Sequence, residues 1–316
     1  MKPETLYTNV GDAQVAYQVF GDGPDLVYSI GYFVSHVDLL WEQPDFARFL
    51  QRLGSFARVT IFDRRGTGAS DPLTQSGGSW WEDWVDDLDA VLAATGAERP
   101  SLMASTDAGP MAIAFAATYP ERVASLVLMN TGARSLPAPD YPHGVPEEHR
   151  GFGRFLEEAW GKEDGPLPDV TWPARAGDPE YRRWIAQVQR AIMTPRRAAA
   201  LWAMEMEVDV RRAVPLIQAP TLVVSTDFPL IPVGNSEYLA EHIAGARLLM
   251  LEGRGAFGWL EDAERLLEGI EELVTGEHKP VEPDRVLATV LFTDIVGSTE
   301  RAAELGDRRW RELLDR

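Results

Sequence analysis

Ser101 to Asn130, SLMASTDAGPMAIAFAATYPERVASLVLMN, is the stretch whose reading decides the fold. Ser101 to Ala104 is a short apolar run without polar alternation, and Ser125 to Met129 is another, as expected of strands covered on both faces. Between them Ala104 to Pro110 is built of small residues, and Met111 to Tyr119 carries its apolar side chains at helical spacing. A turn that presents one side chain at the carboxyl end of a central strand needs small residues two before and two after it, because the backbones there nearly touch. Ala104, Thr106 and Ala108 fit that frame with Thr106 at the apex. Putting Ser105 there instead would place Met103 and Asp107 at the small positions, which sterics disfavour.

The segment resembles the nucleophile elbow of the α/β-hydrolase superfamily, whose pattern is Gly-x-Ser-x-Gly, and ATYPERV followed by LVL is similar to what comes after it there. Here both glycines are alanine and Thr106 holds the serine position. The resemblance spans roughly residues 5 to 274. It implies an α/β fold with a mostly parallel central sheet, helices on both faces and an inserted helical cap.

Outward from the elbow the chain follows that plan. Residues 5 to 20 read as a hairpin about Gly11-Asp12, and Asp25 to Ile30 reads as a central strand running into a loop of Gly31, Tyr32, Phe33 and Val34. By the resemblance, the N–H of Tyr32 or Phe33 donates to an oxyanion. Helix 45–53, strand 58–62 and helix 80–95 follow. DRRGTGASDP at Asp63 to Pro72 resembles a structural turn of the same family, with Arg65 suited to stapling loops and no catalytic role. Alternating strands and helices argue for a parallel sheet with ligands beyond the carboxyl ends of its strands. From about 133 to 212 prolines break the rhythm, and helical pieces at 149–160, 180–192 and 195–208 read as a cap whose apolar residues pack on the core and roof a pocket. PTLVVS at 220–225 and ARLLML at 246–251 read as further strands before a closing helix at 259–273.

The 316 residues are 45% hydrophobic and 25% charged, enough for one large domain and an appendage, with no cysteine for a disulfide, thiol nucleophile or cysteine metal site. The formal net charge of -19 repels phosphate backbones and anionic lipid, so neither nucleic acid nor membrane insertion is expected. The polar start and the absence of a long apolar run predict a cytoplasmic location.

Residues 275–284, TGEHKPVEPD, read as a linker. The remainder, residues 285–316, contains VLFTDIVGSTERAAELGDRRWRELL, which resembles the start of a class III adenylate/guanylate cyclase domain. That resemblance implies Asp294 and the Ile295 carbonyl as ligands of Mg²⁺ in a complete cyclase. It also implies a homodimer, and a chain that ends after about one strand and one helix of that domain.

A hydrolase of this kind needs a nucleophile, an acid and a histidine in chain order. The family spacing puts Ala256 at the histidine position, in EGRGAFGWLED, and leaves Asp227 as the candidate acid. Phe228 takes that place if no residue is inserted. Losing one triad member typically costs about 10⁴ to 10⁶ in rate. The sequence therefore predicts degenerate triad positions at Thr106, Asp227 and Ala256, and a catalytically silent, ligand-sensing or regulatory domain of a cyclase. Tyr32, Phe33, Thr106, Asp107, Trp202, Ala256 and Phe257 would hold a small apolar or amphiphilic ligand, with no cofactor in this domain. Two rival readings stand beside it: an active esterase-like hydrolase using Thr106 or Ser105, and a purely structural dimerisation module.

Overall fold

Eight strands form one sheet in the order β1-β2-β4-β3-β5-β6-β7-β8, and the elbow sits near its middle, after β5. The computed structural model describes residues 2–73, 80–146, 149–277, 303–306 and 309–310. The strands are β1 Leu6–Val10, β2 Ala13–Phe20, β3 Asp25–Ser29, β4 Arg58–Phe62, β5 Ser101–Ser105, β6 Ser125–Met129, β7 Thr221–Asp227 and β8 Arg247–Arg254. Strands β1 and β2 form the hairpin about Gly11, and β2 runs antiparallel to β4; every pairing from β4 onward is parallel. The α/β-hydrolase fold with a mostly parallel sheet is thus present.

Parallel strands need crossover helices, and the sequence supplies them. Helix α1, Pro44–Leu53, starts where the Gln43 side chain accepts from Phe46 N–H at 2.8 Å with Pro44 in the first turn, and it buries Phe46, Phe49, Leu50 and Leu53 along one face. Helix α2, Trp80–Thr95, delivers the chain to β5. Helix α3, Gly109–Thr118, is apolar all round because it is enclosed on all sides: Gly109 to Ala116 are all buried. Between β6 and β7 lie α4 Phe152–Ala159, α5 Leu167–Thr171, α6 Pro179–Ile192 and α7 Pro195–Glu205. Helix α6 is capped by Asp178, which accepts from Glu180 N–H at 2.9 Å. Helix α8, Gly234–His242, precedes β8. The closing segment is a 3-10 turn at Gly258–Asp262 leading into α9, Ala263–Thr275, where one continuous helix from 259 was expected.

The chain divides into two compact units, Met1–His278 and Lys279–Arg316. In the second only residues 303–306, which are helical, and 309–310 are described. The rest of the cyclase-like segment, with Asp294 and Ile295, lies outside the described residues. Among the described residues no helix is long and apolar enough to cross a membrane, and no three acidic, histidine or cysteine side chains cluster as a metal-ligand set.

Candidate active site

Among the described residues Thr106 is one of two non-glycine residues with positive φ, at 51°. A β-branched residue rarely adopts that conformation, so the turn is strained as an elbow requires. It is held in place because β5 ends one residue earlier, α3 begins three later, and Thr131 Oγ1–H donates to the Thr106 carbonyl at 2.6 Å. Ala104 and Ala108 are fully buried beside it. Ser105 faces the other way: its Oγ accepts from Gly31 N–H at 3.1 Å and lies 3.5 Å from the Tyr28 hydroxyl. Ser105 therefore belongs to the strand packing, and the apex hydroxyl is that of Thr106.

The Thr106 hydroxyl donates to Asp107 Oδ1 at 3.0 Å, and Tyr32 N–H donates to the same oxygen at 3.0 Å. The second carboxylate oxygen, Oδ2, accepts from Arg64 Nη2 at 2.5 Å. Arg64 is fully buried, stacks 3.8 Å from the Trp84 ring centroid and also donates to the Ile30 carbonyl at 3.3 Å. Asp107 thus has one oxygen fixed by a guanidinium and the other aimed at the apex hydroxyl. Among the described residues, the partner of that hydroxyl is a carboxylate rather than an imidazole.

Above the elbow is a narrow cavity of about 60 Å³, lined by Tyr32, Phe33, Thr106, Asp107, Trp202 and Glu205, with Arg134 and Asn235 among its other walls. Five of the seven residues expected to hold a ligand are therefore brought together. Ala256 and Phe257 are not: the Ala256 carbonyl accepts from Trp259 Nε1–H at 3.1 Å, Phe257 N–H donates to the Thr171 carbonyl at 2.9 Å, and the Phe257 ring packs edge-on against Phe46. Asp227 is exposed, and its ion pair with Arg254, at 2.7 Å, draws it away from the elbow. The β7–β8 pairing shifts register between Ser225 and Asp227, the last residue of β7. Tyr32 as an oxyanion donor also needs correction, because its N–H is spent on Asp107.

Of the histidines, His242 bonds the Tyr238 carbonyl at 2.8 Å and stacks on the Tyr238 ring, and His143 packs edge-on to Tyr141. His149 lines a separate, wider chamber of about 580 Å³, whose walls Phe228 and Leu230 are shared with the narrow cavity. His278 lies outside the described residues.

Two site residues were missed in the sequence. Arg64 was hidden beside Arg65, which does staple loops, gripping the Asp87 carboxylate with its guanidinium and donating to the Asp83 carbonyl at 2.6 Å. Glu205 looked like an ordinary helix glutamate. Burial raises its carboxyl well above the usual value, the Asp107 carboxylate raises it further, and only Arg64 opposes. The Asp107 carboxyl faces the guanidinium and two further hydrogen-bond donors, whereas Glu205 has no hydrogen-bond partner at Oε1, and burial favours the neutral form of its carboxyl. The one sequence signal for Glu205 is its position in LWAMEM, a lone acid among apolar residues on the face that also carries Trp202.

Residues 33–167 match the family model described as alpha/beta hydrolase fold. A 2-hydroxy-6-oxononadienedioate/2-hydroxy-6-oxononatrienedioate hydrolase of Paraburkholderia phymatum is 38% identical over 95 residues, a match spanning 27% of this chain and 31% of that enzyme. A pimeloyl-[acyl-carrier protein] methyl ester esterase of Nitrosomonas europaea is 23% identical over 267 residues, covering 83% of this chain and all of that one. The enol-lactonase of Burkholderia xenovorans LB400 superposes with a TM-score of 0.67 at 23% identity, over 85% of this chain and 100% of its own. The chain thus has the α/β-hydrolase fold, and its residues 33–167 resemble the family model. These comparisons overturn the reading of the chain as a silent sensor, a pseudoenzyme in cyclic nucleotide signalling: the curated relatives are a hydrolase and an esterase, and none of the three proteins is a cyclase.

Proposed function

We propose that this chain is an esterase-like hydrolase acting on a small amphiphilic ester or lactone, with Thr106 as the nucleophile. The observation that carries the reading is the Thr106 hydroxyl, held at a strained apex and donating at 3.0 Å to a carboxylate oxygen at the floor of a cavity. Thr106 Oγ1 attacks the ester carbonyl carbon and its proton passes to Asp107 Oδ1. Collapse of the tetrahedral intermediate expels the alkoxide, which takes that proton from Asp107 and leaves an acyl-threonine. Water then attacks the acyl carbon, giving one proton to Asp107, and the restored Thr106 hydroxyl recovers it as the acid departs. Asp107 here does the proton shuttling of an imidazole. Arg64 holds the carboxylate in line throughout, and the wider chamber beyond Phe228 and Leu230 gives room for the apolar part of the substrate.

The relatives support an esterase reading in kind, since one is a methyl ester esterase and another a hydrolase. The test is turnover of p-nitrophenyl acetate with mass spectrometry of the quenched protein. We expect release of nitrophenol above buffer and an acetyl group on Thr106. Turnover that survives Thr106→Ala, or none in the wild type, would end the proposal.

A further inference from the structure

Three buried polar atoms in the narrow cavity have no hydrogen-bond partner: the Tyr32 hydroxyl, the Trp202 indole Nε1–H and Glu205 Oε1. Each belongs to a residue more than nine-tenths buried, and leaving such groups unpaired is costly. One orphan is ordinary in a protein interior; three that line one small cavity beside a nucleophile are a site. Three other polar or charged side chains of the lining are already engaged. Asp107 is held by Arg64, Thr106 and Tyr32 N–H; Asn235 accepts from the Tyr141 hydroxyl at 2.5 Å; and Arg134 is paired with Asp209.

The chemistry of the three atoms selects their ligand. An indole N–H only donates, a phenol held neutral by burial donates, and a protonated carboxyl donates through its O–H. Donors therefore outnumber acceptors, which excludes an ammonium group and calls for oxygen lone pairs. Resting on the esterase reading, we infer that Tyr32, Trp202 and Glu205 form a second polar subsite that binds a carbonyl or similar acceptor oxygen of the substrate, distinct from the scissile ester. The substrate class is then an oxo-ester or oxo-lactone: its ester carbon lies at Thr106, its second oxygen under the cap at Trp202 and Glu205, and its apolar remainder faces Phe228 and Leu230.

Methyl levulinate and methyl valerate test this directly, because they share a chain and differ by one ketone oxygen. Binding of both to Thr106→Ala protein, followed by Trp fluorescence and calorimetry, removes turnover from the readout. Each donor should contribute about 3- to 10-fold, so with all three engaged levulinate is expected to bind about 30- to 1,000-fold tighter than valerate. Tyr32→Phe or Trp202→Phe should each lower that ratio by about 3- to 10-fold. Glu205→Gln, which keeps an N–H donor, should preserve the ratio while Glu205→Leu lowers it. A merely structural Glu205 would not separate those two variants. Equal binding of the two esters, or no binding of levulinate at millimolar concentration, would overturn the subsite whatever the rates. A wild type that hydrolyses neither ester while the binding ratio persists would remove the Thr106 chemistry and leave the subsite standing.

Discussion

A methyl group on Gly31 would stand 1.9 Å from Thr106 Oγ1 and 2.9 Å from Asp107 Oδ1, so the loop after β3 presses directly onto the apex hydroxyl. No side chain can be admitted at residue 31 without displacing the two groups that exchange a proton. Gly31→Ala should lower stability by about 1–3 kcal/mol through overpacking and reduce ester turnover by at least tenfold. Urea melts and p-nitrophenyl acetate kinetics on the same preparation check both; unchanged kinetics would mean that Thr106 Oγ1 is free to lie elsewhere.

Thr106→Ser keeps the oxygen and removes the methyl that makes a positive φ costly. Strain at such a position is of order 1–3 kcal/mol. Releasing about 1.4 kcal/mol of it in the attacking geometry corresponds to a tenfold faster acyl transfer. We expect kcat to rise by about that factor with the serine, and to fall by about 10³-fold or more with alanine. The measurement is a burst-phase comparison of the three proteins.

Arg64 and Asp107 form an ion pair with side chains 0% and 3% exposed. Removing the cation strands a buried carboxylate, which typically costs about 3–5 kcal/mol. Arg64→Met should therefore shift the urea midpoint far more than any surface arginine change. Asp227→Ala is the control: its partner Arg254 is exposed, as it is, and the loss should stay below about 1 kcal/mol with hydrolysis unaltered.

Glu205 gives stability a pH dependence of defined sign. Its carboxyl titrates well above the ordinary 4.5 in the folded protein because of burial and then Asp107, with Arg64 opposing and the neutral Tyr32 phenol beside it. The folded state thus holds a proton that the unfolded state releases. Its contribution is fully present below pH 4.5 and is lost as the pH rises from there through the folded value. Glu205→Gln should flatten that decline. Melting temperatures of the two proteins across the acid to neutral range should converge at low pH and separate at neutral pH, the variant being the more stable.

The sequence by itself determined the sheet and the elbow, because both rest on local rules. Short unbroken apolar runs at Ser101 and Ser125 fit strands covered on both faces, and small residues at Ala104 and Ala108 favour Thr106 as the apex. Tyr32, Phe33, Asp107 and Trp202 were also reachable, since topology carries the loop after β3, the elbow and the cap to one end of the sheet. Asp227, Ala256 and Phe257 were placed by spacing alone, and Asp227 lies in solvent paired with Arg254.

Only the tertiary structure decided what surrounds the hydroxyl. Arg64 and Glu205 lie 42 and 99 positions in number from Thr106, and neither spacing nor composition marks them. What gives them meaning is shared burial: charge in a low-dielectric interior acts across elements, so Arg64 fixes Asp107 while Glu205 keeps its proton. Such energies belong to distances between side chains, and distances exist only once the chain is folded.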